Sequence, residues 1–285
     1  MKTLSLSIVP ETVGCNAKCK MCISRSTFAT VNEKVDYETL DRACRYAKDC
    51  GAQTAIITSK GETLLTDTEH MRKCLSIVGD HFAQIDLHTN GTLLSPETWA
   101  ETGLYHLTNI TISIAHYDPK KNAELMGIDI DYDKLFGFLK PINIHKRLSC
   151  VMAKGFIDSP EEIEKYLTFA RHHGINAVVF RDLWVTDHDT PEAKWCNEHS
   201  LNRGHRDPSA IDPFNTWYWS KDRTTRDDEL HVIHKLPWSE VYEWKGVQIT
   251  VAECDYNRED FVKSLILLPD NHVYSTWNSK ASMIW

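Results

Sequence analysis

The stretch LSLSIVPETVGCNAKCKMC, residues 4–22, joins a short apolar run to three closely spaced cysteines. Residues 4–9 have the apolar character of a short β-strand. Cys15, Cys19 and Cys22 follow it with the spacing C-x3-C-x2-C. Three thiolates this close in sequence can bind three corners of an iron–sulfur cube, because soft sulfur ligands select such clusters.

The number of cysteines in this loop bears on the kind of metal site it forms. An iron–sulfur cube usually has four cysteine ligands, so three leave one iron with an open position. A small molecule can bind and react there, as at the open position of a catalytic zinc ion. The alternative is a closed zinc site, which needs a fourth Cys or His nearby, and none lies between Met1 and Cys44.

The spacing and position of the cysteines resemble those of the radical S-adenosylmethionine (SAM) superfamily. In that family the three motif cysteines hold a [4Fe–4S] cluster, and SAM chelates the fourth iron through its amino and carboxylate groups. One electron then splits the sulfonium into methionine and a 5′-deoxyadenosyl radical. The resemblance implies that Cys15, Cys19 and Cys22 are cluster ligands and that SAM is a cofactor. The chain departs from the pattern at Met21, where the family usually has an aromatic residue.

Composition and charge limit the class of protein. The chain has 285 residues, 42% of them hydrophobic and 25% charged, as in ordinary globular proteins. A net charge of −8 gives no attraction for duplex nucleic acid or for an anionic membrane. Nine cysteines without a signal-peptide pattern indicate a reducing compartment, and no apolar run approaches membrane-spanning length. We therefore expect a cytoplasmic protein with no membrane partner.

Strand-like and helix-like segments alternate along the first two thirds of the chain. The predicted strands are Leu4–Val9, Thr54–Thr58, Ala83–His88, Asn109–Ala115, Leu148–Ala153 and Ala177–Arg181. The predicted helices cover Tyr37–Cys50, His70–Val78, a segment opening at Ser95, Tyr132–Leu139 and Ser159–His173. Repeated alternation implies parallel strands with right-handed crossovers. With the family resemblance, this predicts an α/β fold in which residues 1–185 form a partial (β/α)6 TIM-like barrel.

Three residues in loops after the second and third strands are candidate SAM contacts, because chemistry in such barrels lies at the carboxyl ends of the strands. The resemblance implies that Gly61 and Glu62 meet the SAM amino group through backbone and carboxylate. Asn90 belongs to a Thr-Asn-Gly run that is common at this place in the family. The alternatives are an ordinary turn with a solvated glutamate and a structural turn in which Asn and Gly adopt left-handed angles.

Three later positions complete the expected cofactor site. Ser113 matches a position where the family often has a hydroxyl near the SAM ribose or carboxylate. Lys154 and Arg181 end the fifth and sixth strands, and either cation could bind a carboxylate. The alternatives are a small core serine and two snorkelling surface cations.

The strand–helix alternation stops at Trp184. Six of the nine tryptophans lie in residues 184–245: Trp184, Trp195, Trp217, Trp219, Trp238 and Trp244. They are interleaved with the basic residues Arg203, Arg206, Lys221, Arg223 and Arg226. This mixture could stack nucleic-acid bases. We favour instead an irregular lid or substrate-binding segment over residues 186–245.

Residues 246–285 are predicted to form an extension with a β-hairpin. Val247–Ala252 and Leu265–Leu268 alternate as strands, and a Pro-Asp-Asn turn leads into His272–Trp277. The hairpin resembles that of auxiliary-cluster (SPASM/twitch-type) radical enzymes, with Ser275 and Thr276 standing where the cluster cysteine would be. We therefore predict a single iron–sulfur cluster. Cys254 is a candidate hydrogen-donating thiol, with a buried inert cysteine as its alternative.

These features predict an enzyme whose deoxyadenosyl radical abstracts hydrogen from an unactivated carbon of its substrate. A nucleotide or nucleic-acid base is the favoured substrate, on the basis of the aromatic and basic residues after Trp184. The alternative is a ribosomally made peptide, which such an enzyme would epimerise or cross-link. A non-enzymatic iron–sulfur protein is the second alternative. An enzyme of this kind also implies a flavodoxin- or ferredoxin-type electron donor.

Overall fold

A computed structural model describes residues 1–27, 33–201, 213–220, 230–236, 239–252, 257–258 and 261–285. Six strands, β1 to β6, lie side by side in chain order and are all parallel. Their bounds are Lys2–Ile8, Thr54–Ile57, Gln84–Thr89, Asn109–Ser113, His145–Val151 and Ala177–Arg181. The six predicted strands and their parallel order are confirmed.

Helices connect these strands. Helices α1 to α6 cover Tyr37–Asp49, Thr68–His81, Pro96–Glu101, Pro119–Met126, Tyr132–Leu139 and Pro160–His172. Ser95 and Ser159 cap α3 and α6 by accepting hydrogen bonds from backbone N–H groups, as their sequence positions predict. Helix α4 was not predicted, although Asp118 caps it and Pro119 occupies its first turn. Among the described helices, none is both long and apolar enough to cross a membrane.

The two faces of the sheet have different characters, because successive side chains of a strand point to opposite sides. Leu6, Leu87 and Ile112 are fully buried members of the main hydrophobic core. The opposite face, which we call the inner face, carries polar side chains, including Asp86, Thr111 and Arg147. Register confirms that such residues share a face: Thr111 pairs with His88 on β3 and with Arg147 on β5.

Two strands from the C-terminal region extend the parallel sheet at its two edges. Val247–Ala252 (β9) pairs parallel with β6, and Phe261–Leu267 (β11) pairs parallel with β1. Val273–Tyr274 (β12) pairs antiparallel with β11 and forms the predicted hairpin. Asn271 in the intervening turn has a φ of 64°, a left-handed angle that Asn tolerates. The short strand β10 (Asn257–Arg258) pairs antiparallel with β11 on the edge of β11 that faces away from β1.

The described parts of residues 186–245 contain helices and strands rather than the expected irregular structure, and the role of this segment as a lid or substrate-binding segment stays a prediction. They form α7 (Pro191–His199), α8 (Pro213–Ser220), β7 (Leu230–Leu236) and β8 (Ser239–Trp244), with β8 antiparallel to β9.

Two of the tryptophans of this region pack in the protein interior. Trp217 and Trp244 are 1% and 5% exposed and pack edge to face at 5.6 Å. These two side chains are therefore core residues and are unavailable to stack on bases. Trp238 lies outside the described residues. So do all the basic residues of the predicted stacking surface, which are Arg203, Arg206, Lys221, Arg223 and Arg226.

Candidate cofactor and substrate site

The three motif cysteines lie in the loop that follows β1, which we call the cysteine loop (residues 13–22). Cys15 is exposed, and Cys19 and Cys22 are half-buried. Burial, reinforced by the neighbouring thiols Cys22 and Cys15, raises the pKa of Cys19 to about 12. Burial also raises the pKa of Cys15. A bound metal reverses this effect, since a coordinating thiol is deprotonated.

The donor set of the cysteine loop fits an iron–sulfur cluster. Within the described ranges, no group of three or more His, Cys, Asp or Glu side chains is arranged to hold one metal ion. In a cluster each thiolate binds a different iron, so the sulfurs need not converge on one point. Three thiols from one loop are the soft donors that iron–sulfur clusters select.

The cysteine loop packs directly on the loop after β2, and Gly61 makes this approach possible. A Cβ atom at Gly61 would lie 2.1 Å from the carbonyl oxygen of Gly14 and 2.4 Å from that of Val13. The next residue, Glu62, donates its backbone N–H to the Gly14 oxygen at 3.0 Å. The chain's own backbone thus requires the glycine, independently of any cofactor.

The carboxylate of Glu62 is turned into the protein. The residue is 2% exposed, and its two oxygens accept hydrogen bonds from the Thr89 hydroxyl at 2.5 Å, the Leu64 N–H at 3.0 Å and the Asn90 N–H at 2.8 Å. Burial raises the pKa of Glu62, although these three hydrogen bonds oppose the shift. Glu62 therefore ties the loop after β2 to the carboxyl end of β3.

Asn90 continues this chain of contacts to the cysteine loop. Its side-chain nitrogen donates to Asn16 Oδ1 at 2.8 Å, and its Oδ1 accepts hydrogen bonds from the backbone and hydroxyl of Thr92. Asn16 in turn donates to the Thr92 hydroxyl at 2.8 Å. Glu62 and Asn90 together position the loop that carries the cysteines. Their direct contact with SAM remains a prediction.

Two further anchors hold the other side of the loop, and neither was evident from the sequence. Lys18 and Lys20 donate backbone N–H groups to the carbonyls of Met126 and Leu125 at the end of α4, both at 2.9 Å. Just beyond the loop, Arg25 pairs with Glu192 of α7 at 2.8 Å. The backbone carbonyls at the end of α4 lack partners within the helix, so they are available to accept the hydrogen bonds from Lys18 and Lys20.

The remaining predicted cofactor residues differ in their surroundings. Ser113 is exposed at the end of β4, in register with Ser149 on β5. Arg181 is half-buried at the end of β6, and its Nε donates to Ser149 Oγ at 3.1 Å. Lys154 is exposed in the loop after β5, and its backbone N–H donates to the His199 carbonyl of α7. Cys254 lies outside the described residues. SAM contacts by Ser113, Lys154 and Arg181 remain predictions.

Sequence reasoning did not single out a charged cluster on the inner face, formed by Asp86, His88, Thr111 and Arg147. Arg147 pairs with Asp86 through Nη2 and donates from Nε to Thr111 Oγ1 at 3.0 Å. The Thr111 hydroxyl donates to Asp86 at 3.0 Å, and His88 Nε2 lies 3.4 Å from Asp86 Oδ2. Polar residues at alternate positions of β3, β4 and β5 were the available signal.

The chain matches the Radical SAM superfamily over residues 9–170. It belongs to that superfamily. Members of the radical SAM family bind a [4Fe–4S] cluster and SAM, which agrees with the donor set of the cysteine loop. The partial barrel is the fold expected of such a member.

Two curated proteins resemble parts of the chain. An uncharacterized protein of Methanocaldococcus jannaschii is 30% identical over 147 residues, covering 51% of this chain and 46% of that protein. The GTP 3′,8-cyclase of Aquifex aeolicus is 25% identical over 183 residues, covering 61% of this chain and 54% of that enzyme. The chain thus spans about half the length of these relatives.

A solved structure shares the fold over nearly the whole chain. SuiB of Streptococcus suis bound to S-adenosylmethionine superimposes with a TM-score of 0.59 at 16% identity, covering 96% of this chain and 60% of SuiB. Since the match includes the C-terminal region, it supports the continuous sheet that β9 and β11 complete.

Proposed function

We propose that this radical SAM protein is an enzyme that cleaves SAM reductively and abstracts hydrogen from a nucleotide or nucleic-acid base. Cys15, Cys19 and Cys22 would hold the [4Fe–4S] cluster. The observation that carries the proposal is the position of the cysteine loop at the carboxyl ends of parallel strands whose inner face is polar and cationic. The cluster and SAM together supply the 5′-deoxyadenosyl radical when bound.

The chain's own residues would bind SAM from the carboxyl edge of the sheet. Arg181 and Lys154 are cations suited to the SAM carboxylate, and the exposed hydroxyl of Ser113 is suited to the ribose. Glu62 and Asn90 would act by fixing the cysteine loop and the backbone after β2.

An apolar cluster at one side of the inner face would protect the reaction from water. Val9, Ile266, Leu268 and Tyr274 are buried together, with Trp277 packed against them. Ile266 is in register with Ser7 of β1, which assigns both to one face of the sheet. Exclusion of solvent suppresses side reactions of a reactive intermediate.

Two observations favour a nucleotide as the substrate. The GTP 3′,8-cyclase of Aquifex aeolicus, by its name, acts on a nucleotide and is similar to this chain over 61% of its length. The inner face also presents guanidinium groups, which suit phosphate. The peptide alternative rests on the hairpin of β11 and β12, which resembles that of auxiliary-cluster enzymes. An external electron donor of the flavodoxin or ferredoxin type would reduce the cluster.

Anaerobic reconstitution followed by product analysis tests this proposal. With SAM and dithionite, the loaded chain should form 5′-deoxyadenosine, and C19A should form none. Deuterated substrates presented as nucleotides, oligonucleotides and peptides should transfer deuterium to deoxyadenosine only in the nucleotide or oligonucleotide arms. Deuterium transfer from peptides alone would assign a peptide, instead of a nucleotide, as the substrate. A fully loaded cluster that gives no deoxyadenosine in any arm would favour a non-enzymatic iron–sulfur protein.

A further inference from the structure

The charged cluster of Asp86, His88, Thr111 and Arg147 lies on the inner face, towards the amino ends of the strands from the cysteine loop. Strand register places His88, Thr111 and Arg147 at one level across β3, β4 and β5. Ser113 and Ser149 pair two residues further along β4 and β5, towards the carboxyl ends. The cluster therefore lies on the amino-end side of Ser113 and Ser149 along the same face.

Arg147 is held by two neighbours that fix its guanidinium plane. Its Nη2 pairs with Asp86 and its Nε donates to Thr111, while the Thr111 hydroxyl donates in turn to Asp86. Arginine has more N–H donors than these two contacts use. Among the contacts described for this residue, Nη1 has no hydrogen-bond partner. The two contacts orient the guanidinium, whose side chain is partly exposed.

Burial differs sharply between the two charges of this pair. The side chain of Asp86 is 3% exposed, whereas that of Arg147 is 33% exposed. Burial by itself would raise the pKa of Asp86, but His88, Arg147 and Thr111 lower it below its ordinary value. Asp86 therefore stays ionised behind the guanidinium, and the charge that a ligand meets first is positive.

The inner face carries more cationic than anionic groups. At the inward strand positions of β1 to β6, the carboxylate and guanidinium groups are those of Asp86, Arg147 and Arg181. The surplus is cationic although the chain carries a net charge of −8. A local charge opposite in sign to the net charge favours an anionic ligand there.

Stability does not by itself account for the pairing of Asp86 with Arg147. Desolvation of two charges offsets most of their attraction, and an apolar pair of similar volume is often equally stable. The inner face also lies apart from the apolar core that packs against the helices. Binding a ligand is the role that uses the exposed side of Arg147.

We propose that Arg147, oriented by Asp86 and Thr111, binds the phosphate of a nucleotide substrate on the inner face. This inference rests on the proposed function, and it names the chemical group by which the substrate is recognised. A planar guanidinium with fixed orientation binds phosphate oxygens with two parallel N–H donors. Asp86 and Thr111 are positioning residues, since they act through Arg147.

Equilibrium binding to the full chain tests the proposal without turnover. The protein is reconstituted with its cluster and saturated with SAM, without reductant, and titrated calorimetrically with each ribonucleoside triphosphate and with its matching nucleoside. We expect at least one triphosphate to bind tenfold or more tightly than its nucleoside, about 1.4 kcal/mol. The double variant D86N/R147Q leaves no unpaired buried charge and should abolish this difference, with nucleoside and SAM affinities within about twofold of wild type.

Two single variants sharpen the assignment. R147K keeps the charge but loses the planar fork, so it should retain only part of the preference for the triphosphate. R171Q removes an arginine from the exposed last turn of α6 and should leave the preference unchanged. Equal affinity of the wild type for triphosphate and nucleoside, or a preference that survives in D86N/R147Q, would overturn the inference. The inference would also be overturned if a glutamate-containing peptide competed for the site and this competition depended on Arg147, because the site would then bind a carboxylate.

Failure of this inference is distinguishable from failure of the proposed function. Deoxyadenosine formation without phosphate-dependent binding rejects only the role of Arg147. Phosphate-dependent binding that D86N/R147Q abolishes, in a protein that forms no deoxyadenosine, supports the binding site and rejects the enzymatic proposal.

Discussion

Replacing Gly61 with alanine should loosen the cysteine loop. The new Cβ would lie 2.1 Å from the Gly14 carbonyl oxygen, whereas ordinary contacts begin near 3.4 Å, so the two backbones must separate by about 1.3 Å. The φ angle of Gly61 lies outside the left-handed region, so steric overlap rather than backbone strain is responsible. The separation would also break the 3.0 Å hydrogen bond from the Glu62 N–H to the Gly14 oxygen.

The expected cost of G61A follows from these two effects. Overpacking costs about 1–3 kcal/mol, and loss of one backbone hydrogen bond costs about 0.5–1.5 kcal/mol. We therefore expect the free energy of unfolding to fall by about 2–4 kcal/mol. Iron loading should fall as well, because the displaced oxygen belongs to the residue before Cys15.

Urea unfolding of the metal-free chain, followed by circular dichroism, measures the stability change, and iron per chain after anaerobic reconstitution measures loading. G14A is the matched control, since a Cβ at Gly14 would meet nothing within 4 Å. It should resemble wild type in stability. If G61A unfolds at the wild-type urea concentration and loads a full complement of iron, the close approach of the two loops is wrong.

Three further changes have definite expected results. Replacing any one of Cys15, Cys19 and Cys22 with alanine should abolish cluster assembly. Iron content and electron paramagnetic resonance measure this loss. A double-mutant cycle of N90A and N16A should give a coupling energy of about 1 kcal/mol in urea unfolding, because their side chains share a 2.8 Å hydrogen bond. The pKa of Asp86 is lowered from 3.8 in the folded protein. The ionised Asp86 carboxylate therefore stabilises the folded state above pH 3.8, and this stabilisation is lost as the pH falls through the folded-state pKa. D86N should therefore lose less stability than wild type on acidification below pH 3.8.

Each of these changes has a control and a contrary outcome. C150A alters a fully buried core thiol and should still assemble the cluster, whereas assembly in a motif variant would reassign the ligands. Additive effects of N90A and N16A would show that the hydrogen bond contributes nothing to loop anchoring. If the free energy of unfolding falls equally steeply on acidification in D86N and in wild type, Asp86 is not the group responsible for the acid sensitivity.

Local sequence determined the parts of this protein that depend on neighbouring residues. The cysteine spacing, the alternation of strands and helices up to Arg181 and the serine caps at Ser95 and Ser159 were all predicted, because each needs contacts only a few residues apart. The hairpin turn at Asn271 belongs to the same class. Helix α4 had a usable signal too, in the Asp118-Pro119 pair.

Tertiary structure alone decided which distant residues meet. Alternation along β3 and β5 assigns Asp86 and Arg147 each to a strand face, but their contact across 61 positions depends on the register and curvature of the whole sheet. The same holds for the approach of Gly61 to Gly14 and for the parallel pairing of β11 with β1. Sequence thus specified the candidate cluster ligands, while the positioning contacts and the cationic inner face arose from packing of segments far apart in the chain, for which local propensity carries no signal.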